Sequence, residues 1–118
     1  MTYFLTLFFT LSAFAHGDHM PGPHHGQIRM PGAFHSEIVI RTDGEILIYL
    51  MDVHNKNPTI KDSSVAIRSE NKTITYNCTP VEKTYFQCRA SSKTKPQGKL
   101  FVKTKRLGAI GKEMVYEF

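Results

Sequence analysis

From residue 34 onward, short runs of alternating apolar and polar residues are separated by turn residues, and no run has helical periodicity. This alternation is the pattern of half-buried strands. The runs cover residues 36–41, 45–52, 64–68, 73–78, 85–90, 99–103 and 113–118. The chain of 118 residues is long enough for one domain. About seven short strands predict an all-β domain over residues 34–118, an antiparallel immunoglobulin-like β-sandwich or a small barrel.

The first two runs form a β-hairpin signal for which two turn lengths compete. A two-residue loop at Asp43 and Gly44 would place Glu37 and Arg41 on the face of the isoleucines. A three-residue loop with Gly44 in the left-handed region pairs Arg41 with Glu45. It collects the apolar side chains on one face, and we therefore predict it. Those side chains are Ile38, Ile40, Ile46, Ile48 and Leu50.

The two cysteines, Cys78 and Cys88, lie on the strands of a second predicted hairpin. If they face each other, the apolar side chains of both strands share their face and the polar side chains take the other. Such a pair could instead hold a metal, but its position within strands favours a disulfide. Closing this short loop would contribute ~2.5–3 kcal/mol on the chain-entropy model. A disulfide also indicates an oxidising compartment.

Residues 1–15 are predicted to be a signal peptide. Residues 2–15 are almost wholly apolar and end in a small-x-small cleavage pattern at Ala13 and Ala15. A membrane-spanning helix is the alternative, but it needs ~20 apolar residues, and the run stops at His16. We therefore expect a periplasmic or secreted protein without a stable membrane span after cleavage.

Five of the six histidines fall within residues 16–35. Proline and glycine interrupt this segment, so residues 16–33 are predicted to form an irregular arm. Imidazole and thioether groups are ligands of transition metals, which favours a metal-binding arm over a polar tail with incidental histidines. The predicted ion is copper, with zinc or silver as alternatives. The predicted ligands are His16, His19, His24 and His25, then His35 and Met20.

The amino terminus allows two further chelates. Cleavage after Ala15 would make His16 the first residue, and its α-amine and imidazole could then bind the same metal ion. Cleavage one residue later would place His19 third, a position suited to square-planar copper or nickel. At the root of the arm, the predicted hairpin sets His35 opposite Met51, a pair that could close a metal site but more often only packs.

The formal net charge is +5, and residues 83–112 contain nine Lys or Arg and no Asp or Glu. Lysines that prevent exposed strand edges from pairing with other chains explain this composition. The alternative is a basic face for an acidic partner or an anionic membrane. We see no recognition helix, so nucleic acid is not a predicted partner.

The segments 22–26 and 34–37 resemble a pattern of small exported domains associated with bacterial heavy-metal efflux. These domains occur alone in the periplasm or at the front of the periplasmic adaptors of resistance-nodulation-division pumps. The pattern is Gly-Pro-His-Gly-Gly, then an aromatic residue and a Glu that open a strand. His25 stands where that pattern has its first Gly. The matching residues are His24, Gly26, Phe34, Glu37, Tyr49, Asp52 and Pro58. The resemblance implies a periplasmic β-domain that handles copper, silver or zinc.

Together these features predict an exported metal-binding protein that sequesters its ion or passes it to an efflux adaptor, and not an enzyme. The alternatives are an envelope interaction module whose basic half meets an acidic partner, and an oxidative copper enzyme that uses His16. The enzyme would need a further histidine within the fold, for which only His35 and His54 are available.

Overall fold

A computed structural model describes residues 21–70, 74–91 and 96–118. Within these ranges no helix is long and apolar enough to cross a membrane. The strands are β1 (Gln27–Arg29), β2 (His35–Ile40), β3 (Ile46–Met51), β4 (Ser64–Ser69), β5 (Tyr76–Val81), β6 (Tyr85–Ala90), β7 (Lys99–Arg106), β8 (Ala109–Ile110) and β9 (Met114–Glu117).

The strands form two antiparallel sheets that pack as a sandwich. Sheet A has the order β1-β2-β3-β6-β5. In sheet B, β7 is central, with β4 on one side and both β8 and β9 on the other. The predicted all-β sandwich is confirmed. The structure adds β1 and β8, which span three and two residues and are too short to produce an alternating pattern.

The β2–β3 hairpin has the predicted three-residue loop. The backbone N–H of Arg41 donates to the carbonyl of Glu45 (2.8 Å), and that of Gly44 donates to the carbonyl of Arg41 (3.0 Å). Gly44 has a φ of 87°, a conformation that costs little only for glycine. His35 lies opposite Met51 in the resulting register. The three-residue loop predicted from the alternation of side chains is therefore confirmed.

The β5–β6 hairpin has the predicted register, with Cys78 opposite Cys88. The two residues form a disulfide, and Cys88 is fully buried. A disulfide is typical of an oxidising compartment, so it supports the prediction of export.

The main hydrophobic core lies between the two sheets. Its buried members are Phe34, Ile38, Ile46, Ile48, Leu50, Phe86, Cys88, Leu100, Val102 and Tyr116. The hydroxyl of Tyr116 and Oγ of Ser36 are 2.6 Å apart, which satisfies both groups inside the core. Burial raises the pKa of Tyr116 to about 12.

A second, smaller core lies on the outer face of sheet A. Its buried side chains are Ile28, Leu47, Tyr49 and Met51. Ile28 belongs to β1, which pairs with β2 and places Ile28 opposite Glu37. The structure thus differs from the irregular arm predicted for residues 16–33. In the described part of that segment, residues 27–29 extend the sheet because Ile28 completes this apolar cluster.

Side chains of β1 also join the two sheets along one side of the sandwich. The amide of Gln27 donates to the carbonyl of Glu117 (3.1 Å), and Nε of Arg29 donates to the carbonyl of Val115 (3.2 Å). The Arg29 guanidinium also lies over the Tyr116 ring, 4.9 Å from its centroid. These contacts hold β1 in place, and with it the turn of residues 21–26 that precedes it.

Candidate functional site

Residues 21–26 form a tight turn that leads into β1 and lies against the outer face of sheet A. The backbone N–H of His25 donates to the carbonyl of Gly22, and that of Gly22 donates to the carbonyl of Gly26, both at 2.9 Å. His25 has a φ of 63°. Histidine tolerates this left-handed conformation better than most residues with a side chain. This is the position at which the efflux-domain pattern has glycine.

The side chain of Glu37 holds this turn in place. Glu37 is fully buried on β2, and its Oε2 accepts the backbone N–H groups of His24 and Gly26, each at 2.9 Å. Its other oxygen, Oε1, lies 2.7 Å from Nδ1 of His24. A buried carboxylate is tolerated only when donors compensate its lost hydration. The turn supplies those donors.

Two glycines allow the carboxylate to approach the turn so closely. A Cβ on Gly22 would overlap the carboxylate of Glu37, and a Cβ on Gly26 would overlap the backbone carbonyl of Ile38. Glycine is the residue that permits such backbone approach. The two glycines of the Gly-Pro-His-His-Gly sequence are therefore explained by the position of Glu37.

The imidazole of His24 is stacked on the ring of Tyr49. The two rings are nearly parallel, at 6°, with centroids 3.6 Å apart. The ring of Tyr85 also lies near Tyr49, with a centroid distance of 5.2 Å. Burial is the largest cause of a raised pKa at Tyr49, and the neighbouring Tyr85 and Glu37 add to it. Tyr49 therefore acts as a neutral aromatic support for the imidazole.

The contact with Glu37 determines which nitrogen of His24 is available. Two backbone amides stabilise the ionised carboxylate, which can only accept hydrogen bonds. Nδ1 of His24 must therefore carry the hydrogen, and in the neutral ring Nε2 then holds the lone pair. The His24 side chain is 36% exposed. A histidine oriented by a carboxylate through one nitrogen is the usual arrangement of a metal ligand.

The remaining predicted ligands have different environments. His25 is exposed in the same turn as His24. His35 lies at the start of β2, where its Nδ1 is 2.7 Å from Oδ1 of Asn55. His16, His19 and Met20 lie outside the described residues, as does the predicted signal peptide. In the part of the chain that is described, no group of three or more His, Cys, Asp or Glu side chains is placed to hold a metal.

The cross-strand pair of His35 and Met51 has the predicted register. Met51 is fully buried and packs with Ile28, Leu47 and Tyr49. Its thioether is thus part of the smaller core. Sequence pattern placed both residues on the same face, but it could not show that residues 21–30 cover that face.

The bonds of Glu37 to the turn and the stacking of Tyr49 are the features that sequence pattern alone did not reveal. Glu37 stands at a polar position of an alternating strand, which ordinarily means exposure to solvent. The resemblance to efflux domains included both residues without showing their roles. Its residues Gly22, His24, Gly26, Glu37 and Tyr49 meet in this one site.

Comparison with known proteins adds no family to this description. No family model matches. The searches of curated proteins and of solved structures likewise returned no match. Any function must therefore be argued from the site itself.

Proposed function

We propose that this chain is an exported transition-metal-binding protein in which Nε2 of His24 is the ligand supplied by the folded domain. The bond between Glu37 and Nδ1 of His24 is the observation that carries the proposal, because it orients the ring and, among the described residues, leaves Nε2 without a hydrogen-bond partner. His25 and the amino-terminal His16, His19 and Met20 would complete the coordination. Copper suits this nitrogen-rich set best, with zinc or silver as alternatives.

The biological role we propose is sequestration of the ion in the periplasm or its handover to a heavy-metal efflux adaptor. The disulfide and the apolar residues 2–15 support export. The resemblance of residues 22–37 to efflux-associated domains supports the handover. A ligand set that combines the fixed imidazole of His24 with ligands from the amino-terminal segment would suit transfer better than permanent storage.

The first test is a calorimetric titration of protein that begins at His16 with Cu(II) and with Zn(II). We expect saturable uptake that weakens at least about tenfold in His24→Asn, since the Asn amide can still donate to Glu37 but offers no imidazole nitrogen. His54→Ala is the matched control, because His54 lies in the loop after β3, outside this turn, and should bind as wild type. Unchanged affinity in His24→Asn would contradict the assignment of His24.

The export part of the proposal has a separate test. The full chain expressed in a bacterium with a periplasm should be recovered from the periplasmic fraction, shortened at its amino terminus and with the disulfide formed. Recovery of unprocessed chain in the cytoplasm would contradict export while leaving the metal titration unaffected.

A further inference from the structure

We infer that the outer face of sheet B is a binding site for an acidic segment of a partner protein, a role independent of the metal site. The register places Ser64, Lys105 and Ile110 in one row across β4, β7 and β8. Ala66 and Lys103 face each other in the next row. We call these five residues the Lys103 face.

An exposed apolar side chain lies beside a shallow depression on this face. Ile110 is 84% exposed, the largest exposure among the large hydrophobic side chains of the described residues. The depression has a volume of about 290 Å³ and is bordered by the Lys103 face together with Val65, Thr104 and Gly111. This volume is at the lower end for ligand sites, so it fits a single side chain and not a larger molecule. An apolar depression bordered by charges is typical of an interaction surface.

The charge of the face identifies the occupant as acidic. Among the described residues no carboxylate forms an ion pair with Lys103. Of the described carboxylates, the exposed Asp62 forms an ion pair with Lys105, at 3.7 Å. The stretch from residue 99 to 112 contains no Asp or Glu at all. Carboxylates of a partner could therefore pair with Lys103, and with Lys105 in competition with Asp62, where these two side chains border the depression.

A second copy of the chain is a poor occupant, because it would bring the same lysines together. A lipid surface is also less suitable, because a concave depression accepts a protruding side chain and a flat bilayer offers none. The chemistry that fits is one aliphatic or aromatic side chain flanked by Asp or Glu.

The test uses a glutamate peptide with a central phenylalanine, titrated into isotope-labelled protein that begins at His16, with a chelator present to keep metals out. We expect amide shifts at residues 64–66, 103–105 and 110–111. The same peptide with serine at its centre should bind at least about fivefold more weakly, since it buries no apolar side chain. Lys103→Glu and Ile110→Ser should each weaken the phenylalanine peptide by at least about fivefold.

Lys83→Glu and Val53→Ser are the matched controls, because they replace a lysine by Glu and an exposed aliphatic residue by Ser outside the Lys103 face, and both should bind as wild type. Equal binding of the two peptides would show that charge attraction alone accounts for the binding, and it would overturn the proposal. Sedimentation of the protein with phosphatidylglycerol vesicles, without peptide binding, would assign the face to membranes instead. Because chelator is present throughout, neither result bears on the metal site.

Discussion

Replacement of Glu37 by Gln should reverse the proton position on His24 with little change in shape. In the native protein, Oε1 of Glu37 accepts the hydrogen on Nδ1, and Oε2 accepts two backbone amides. The Gln oxygen can keep the two amide bonds, which turns the NH₂ group toward Nδ1. Two donors cannot face each other, so the imidazole must carry its hydrogen on Nε2 instead. The outward nitrogen then has no lone pair for a metal.

The magnitude of this change follows from the bonds that Glu37 makes. Three hydrogen bonds to a carboxylate become bonds to a neutral amide. A charged bond contributes ~1.5–3 kcal/mol and a neutral one ~0.5–1.5 kcal/mol. Removal of the buried charge offsets part of the loss. We therefore expect Glu37→Gln to lower the free energy of unfolding by about 1–3 kcal/mol. Metal affinity should fall about 10- to 100-fold, the usual effect of losing the partner that orients a ligand.

Nitrogen NMR of the imidazole distinguishes the two forms, and calorimetric titration measures the affinity of the same samples for Cu(II) and Zn(II). Glu37→Gln should show Nε2–H where wild type shows Nδ1–H. In a His24→Asn background the Glu37 change should have almost no further effect on binding, because the ligand is already absent. Wild-type affinity in a Glu37→Gln protein whose tautomer has reversed would refute the coordination that we propose.

Three further predictions concern stability. Replacing both cysteines by alanine should lower the free energy of unfolding by about 2.5–3 kcal/mol in urea titrations, and reducing agent should have no further effect on that variant. Gly22→Ala forces a Cβ against Glu37 and should cost about 1–3 kcal/mol, whereas Gly32→Ala, whose Cβ would lie 3.5 Å from its nearest neighbour, should be tolerated. The pKa of Tyr116 is raised from 10.0 to about 12, so the stability from its buried phenol is complete below pH ~10. About 3 kcal/mol should be lost as the pH rises from ~10 through ~12, and Tyr116→Phe should reduce this loss.

Most of the sandwich could be predicted because its determinants are local. The β2–β3 turn length follows from the side-chain alternation and from Gly44, which supplies the required positive φ. The β5–β6 register follows from the agreement between alternation and the pairing of Cys78 with Cys88. In each hairpin a one-residue slip would move the whole apolar set to the wrong face.

The candidate site could be predicted only in part, because it depends on contacts between distant residues. Local composition singled out His24 and His25, since imidazoles are conspicuous in a segment without periodicity. It could not show that β1 would pair with β2, because three residues give no pattern. Without that strand, Glu37 would be expected to face solvent, whereas it is fully buried in the structure.

The carboxylate of Glu37 both holds the turn to the sheet and orients the candidate ligand His24. The same side chain therefore serves the stability of the fold and the proposed metal site. The carboxylate satisfies His24 through its backbone N–H and through Nδ1, and the ring rests on Tyr49. Within the described residues, no hydrogen bond is formed by Nε2, the other nitrogen of the ring. A purely structural histidine would need its Nδ1 bond and its stacking, but it would gain nothing from Nε2. Substitution by Asn preserves the Nδ1 donor and removes only this atom. Loss of metal binding without a matching loss of stability in that variant would separate the two roles.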